Sequence, residues 1–150
     1  MKKSKIWISL CLIFVLGLSL CGCGSKSELN IENHEWNFSM VQSGENGEIL
    51  YCSADTQELY EDADVLDLWN NIKDGKLLIS NNDTQETWSL DYSLKSSDSK
   101  SNIYEVTYIA DDVTTSGMAT VGLTTRDNGD DEYTLIISIE EYAVYFTAKK

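Results

Sequence analysis

The chain has no proline, a single histidine and few basic residues. Each shortage narrows what the protein can be. With His34 alone, a serine or cysteine nucleophile has no choice of partner base, and no Gly-x-Ser-x-Gly is present. Zinc spacing is missing as well: there is no His-x-x-x-His and no Cys-x-x-Cys. Eleven Lys and Arg stand against twenty-five Asp and Glu, a formal net charge of −14. So acidic a chain is repelled from nucleic acid and from anionic lipid faces, and no nucleic-acid partner is expected. Carboxylates are abundant, which leaves paired-acid catalysis open on composition alone. The densest runs are Glu61-Asp62-Ala63-Asp64 and 127–132 (DNGDDE), and the second is oxygen-rich. It lacks the Asp-x-Asp-x-Asp-Gly order of an EF-hand loop, so a solvated hairpin turn is expected there. No metal, no cofactor and no enzymatic activity are expected.

Long apolar runs are missing too, except at the start. Residues 1–5 are basic, and residues 6–20 (IWISLCLIFVLGLSL) are apolar. That layout is a secretory signal, expected as a helix over residues 1–22. The apolar run is shorter than the roughly 20 residues a membrane-spanning helix needs, which leaves a short uncleaved anchor as the alternative. The run ends in Leu20-Cys21-Gly22-Cys23. This resembles the bacterial lipobox, where a Leu, a smallish residue and a Gly or Ala precede the modified cysteine. The resemblance implies that Cys23 receives a diacylglyceryl group and becomes the N-terminus. Cys21, preceded by Leu20, fits that pattern poorly. Two acyl chains hold a protein on a bilayer where one is marginal. The chain is then a cell-membrane lipoprotein on the extracytoplasmic face, its membrane partner reached through the lipid.

The mature chain would have about 128 residues, enough for one domain with a sizeable core. Eight basic residues would remain against all twenty-five acids, a formal charge of about −17. Once Cys23 carries lipid, Cys52 has no intrachain partner, so no disulfide framework is expected. Cys52 sits in an apolar run and reads as a small buried hydrophobe.

No stretch after the leader has a strong helical period; period two dominates instead. Trp36, Phe38 and Met40 alternate with polar residues, and so do Trp88, Leu90, Tyr92 and Leu94. Strands are expected near 36–40, 48–54, 64–72, 76–80, 87–94, 102–110, 115–125, 132–139 and 142–148. Turns are expected at Asn46-Gly47, Asp74-Gly75, Asn128-Gly129 and Glu140-Glu141. Gly117 and Gly122 mark a bulge or a bend. Residues 55–63 form a loop or a helical turn, and residues 23–33 form the lipidated N-terminus and a flexible tether. The domain proper is residues 34–150. The fold class expected is all-β: an antiparallel up-and-down meander of eight or nine strands closing into a barrel. A β-sandwich is the alternative.

A tether, then His34-Glu35-Trp36-Asn37-Phe38 opening the first strand, then a meander, resembles the lipocalin or calycin-type barrels. It also resembles the small lipocalin-like lipoproteins of bacteria. That likeness implies a non-catalytic module that holds a small apolar or amphipathic ligand. The inward residues Trp36, Phe38, Met40, Trp88, Leu90 and Tyr92 are the candidate ligand contacts. The strand tyrosines admit a ligand-stacking role beside their ordinary one in cross-strand pairs. The competing expectation is a structural or protein-interaction envelope lipoprotein whose barrel is filled by its own side chains. A monomer is expected in either case.

Overall fold

The computed structural model describes residues 28–150, and the alternating runs form ten strands there. They are β1 (Asn37–Ser43), β2 (Ile49–Cys52), β3 (Asp64–Val65), β4 (Leu68–Lys73) and β5 (Lys76–Asn81). Then follow β6 (Thr87–Ser97), β7 (Ser101–Ala110), β8 (Val113–Thr125), β9 (Asp131–Ile139) and β10 (Tyr142–Lys149). The expected signal helix and Cys23 lie outside the described residues.

All ten strands belong to one sheet, in the order β3-β2-β1-β10-β9-β8-β7-β6-β5-β4. From β4 to β10 each strand pairs antiparallel with the next. β1 closes back onto β10, and β2 folds onto β1. The expected all-β meander is therefore the architecture, and a single sheet rules out the sandwich. The sheet curls into a half-barrel that brings the edge strand β4 up against β1. Across that seam Asn70 donates from Nδ2 to the backbone oxygen of Trp36 at 2.6 Å.

The run expected at 64–72 divides in two, which takes the count from nine strands to ten. Its first residues pair parallel with β2, and Leu66 N donates to Cys52 O at 2.9 Å. The chain must then cross to the other edge, and Asn82 holds the crossing by donating to the Asp67 carboxylate. The expected turns are in place. Gly47, Gly75 and Gly129 all have left-handed backbones, with φ of 75°, 72° and 88°. Asp111 and Asp112 adopt the same conformation between β7 and β8 without a glycine.

The concave face of the sheet is the core. Leu77, Val106, Val121, Leu135 and Phe146 are fully buried there. Each such side chain contributes roughly 1.5–3 kcal/mol by leaving water. Leu29 and Ile31 join the same core and are also fully buried. The expected tether, residues 23–33, is thus shorter than its polar composition implied. From Glu28 on, the chain is seated across one end of the curled sheet, with a 3-10 turn at Ile31–Asn33. Side chains of β7 hold its backbone: Ile31 N donates to the Tyr104 hydroxyl at 3.1 Å, and Asn102 Nδ2 donates to Leu29 O at 3.0 Å. Trp36 Nε1 donates to Ile31 O at 2.8 Å.

β1 departs from simple alternation. The register against β10 shifts between Phe38 and Met40. Phe38 and Val41 both belong to the core, while Met40 lies opposite Cys52 and Tyr145 on the convex side. Cys52 is fully buried at that spot. The 3-10 segment Ala54–Leu59 packs nearby, where Thr56 Oγ1 donates to Ser39 O at 2.9 Å.

Candidate functional site

The curled sheet has two unlike ends. One is closed by residues 28–36. The His34 ring lies against Tyr133 and Trp36, with centroids 4.1 Å and 5.0 Å away, and its Nε2 bonds to Glu28 O at 2.6 Å. The single histidine is thus a packed part of this closure.

The other end holds a cavity of about 360 Å³. Its inner wall is the end of the buried core: Leu68, Ile79, Leu90 and Ile137. Val41, Leu66, Ile139 and Val144 complete the apolar lining. Four aromatic residues stand around it, Tyr51, Trp88, Tyr108 and Tyr142. Glu140 is its one charged lining residue. Tyr51, Trp88 and Tyr142 remain 38–39% exposed. Large apolar rings left in water beside an apolar hollow form a surface that a bound molecule can cover.

The strand geometry explains this lining. Ile79 and Trp88 face each other across β5 and β6, and Ile139 and Tyr142 across β9 and β10. Successive inward positions on each strand therefore run from filled core to open mouth. Volume alone puts the cavity near the lower end of small-ligand sites.

The six candidate ligand residues are distributed as follows. Trp88 and Leu90 line the cavity. Trp36 and Phe38 are core residues, 6% and 9% exposed, and neither is part of the lining. Met40 is turned to the convex face, and Val41 takes the inward place. Tyr92 is inward but lines a separate polar cleft beside the N-terminal segment, with Asn30, Glu32 and Asn102. Its hydroxyl donates to Glu32 Oε1 at 2.5 Å. Burial, and then the bond to Glu32 and its charge, push the Tyr92 phenol far above its usual range. Asn102 Oδ1, also at this cleft, is buried with no hydrogen-bond partner.

Beyond Trp88 and Leu90, sequence reasoning named none of the apolar lining residues, Val41 and Val144 among them, nor Glu140. Tyr51, Tyr108 and Tyr142 were signalled only as strand tyrosines. The oxygen-rich run at 127–132 forms the turn before β9, where Asn128 accepts from Asp130 N at 3.0 Å and Lys150 pairs with Asp131 at 3.1 Å. Among the described residues no group of three or more His, Cys, Asp or Glu is placed to hold a metal ion. No helix among them is long and apolar enough to cross a membrane. Compared with known proteins, the chain matches no family model, no curated protein and no solved structure.

Proposed function

We propose that the protein is a lipid-anchored, extracytoplasmic binding module that takes a small apolar or amphipathic ligand into the open end of its half-barrel. The observation that carries this reading is the 360 Å³ cavity, lined almost wholly by apolar and aromatic side chains and open to solvent. Trp88 and Leu90 are the ligand contacts carried forward from the sequence, joined by Tyr51, Tyr108, Tyr142 and Val144. Trp36, Phe38 and Met40 support the walls instead. The role is non-catalytic and needs no cofactor, and the protein acts as a monomer. The lipobox-like Leu20-Cys21-Gly22-Cys23 supports the anchor, with Cys23 as the acylated residue.

Native mass spectrometry of protein purified from its own host tests the binding reading. A small hydrophobic molecule should travel with the chain, and a Val144→Trp variant with a filled cavity should lose it. No co-purified molecule, together with no thermal shift across a panel of apolar and amphipathic compounds, would refute it.

A further inference from the structure

Basic side chains are confined to one end of the half-barrel, while acids stand at both. The turns at the open end carry Asp67, Asp83, Asp111, Asp112, Glu140 and Glu141, and no lysine or arginine. All seven basic residues among the described ones lie toward the closed end. Lys73 and Lys76 flank the turn between β4 and β5. Lys95 and Lys100 lie near the turn between β6 and β7, Arg126 between β8 and β9, and Lys149 and Lys150 at the chain end. The ion pairs follow the same division: Lys76–Asp91, Lys95–Glu105, Arg126–Glu132 and Lys150–Asp131 use only these bases. The mouth is therefore an apolar hollow edged by carboxylates that have no basic side chain beside them.

We propose that the cavity selects cationic amphiphiles, an apolar body seated among Leu90, Ile137 and Val144 with an ammonium group at the mouth between Glu140 and the aromatic rings. This rests on the ligand-binding reading and names the chemistry of its ligand. An apolar hollow edged by one sign of charge focuses the field on whatever enters. Trp88, Tyr51, Tyr108 and Tyr142 add the ring quadrupoles that attract ammonium groups. Glu140 lines the cavity itself and so meets the head group directly. A fatty-acid anion would have to place its carboxylate among like charges. The negative potential is already felt by a neighbour: Glu141 above all raises the Tyr142 phenol, with Tyr51 and Glu140 adding to it.

Octyltrimethylammonium, octanol and octanoate share one tail and differ in charge. Calorimetric titration of each into the full chain in zwitterionic nanodiscs, with empty discs as the blank, reads the selectivity. The cation should bind on the order of ten-fold tighter than octanoate at low salt. The gap should narrow with added salt. Glu140→Gln, an exposed and nearly isosteric change, should narrow it as well. Octanoate binding as tightly as the cation, or a ratio untouched by Glu140→Gln, overturns the proposal while octanol binding upholds the cavity. Failure of all three probes overturns the ligand-binding reading itself. Cation binding undiminished in Val144→Trp would be adsorption to an acidic surface and would also overturn it. Leu66→Trp, in the link between β3 and β4, gives the same control should the first variant not fold.

Discussion

Two inward tryptophans show how position decides what one residue does. Trp36 is 6% exposed and its indole N–H is committed to Ile31 O. Trp36→Ala leaves a large void and an unpaired carbonyl, and should cost about 3–5 kcal/mol in a urea melt. Trp88 is 38% exposed at the cavity mouth. Trp88→Ala should cost less than about 1 kcal/mol of stability and weaken the octyl probes several-fold. Equal stability losses for the two would contradict the division of the sheet into filled and open ends. Tyr92 makes a pH prediction. Its phenol stays protonated in the folded chain above its usual value of 10.0, where the unfolded chain ionises. The unfolded state then holds fewer protons, so stability is full below pH 10 and falls as pH rises past it. Tyr133, raised chiefly by burial and then by Glu28, acts in the same direction. Tyr92→Phe should flatten part of the fall between pH 10 and 12 in denaturant titrations, and an unchanged slope would argue against a phenol raised by burial and Glu32.

At the scale of elements, the turns and most strands were readable. Asn46-Gly47 and Asn128-Gly129 mark hairpins because glycine accepts left-handed φ without strain. The alternation Trp88, Leu90, Tyr92 is inward-facing as read. Gly117 shows where local reading stopped. A bulge or bend was expected, yet β8 pairs through it with both neighbours without a register shift. Its purpose is close approach: a Cβ there would lie 2.3 Å from Ser138 O and 3.0 Å from Ile139 Cα. Gly117→Ala should therefore force β8 from β9 and cost about 1–3 kcal/mol, read as a lower denaturation midpoint with the slope unchanged. A neutral result would show that the two strands yield freely. The N-terminal segment was missed for a related reason. Leu29 and Ile31 are two apolar residues in a polar stretch, and nothing nearby in sequence reveals the groove that buries them.

For the whole molecule, the shortened tether matters. Only four residues lie between Cys23 and Glu28, a reach of roughly 18 Å when fully extended. On the proposed anchor, the closed end and its lysines stay near the bilayer while the acidic mouth points away. Repulsion of the acidic mouth from anionic head groups favours the same orientation. Cys23→Ala should abolish metabolic labelling with a radiolabelled fatty acid and release the protein from the membrane fraction, whereas Cys21→Ala should leave both unchanged. Labelling that survives Cys23→Ala would move the anchor elsewhere.

The sequence by itself determined most of the strands, their tight turns and the acidic character, because these depend on side-chain period and composition within a few residues. Tertiary structure decided everything that depends on pairing at a distance. The partnership of β1 with β10 set the register shift that turns Met40 outward and Val41 inward. A one-residue shift reverses a whole face, and its cause lies across the sheet rather than along the chain. Strand order likewise gathered the seven bases of the described residues toward the end closed by Leu29 and Ile31, and left the turns of the end open around Trp88 with acids alone.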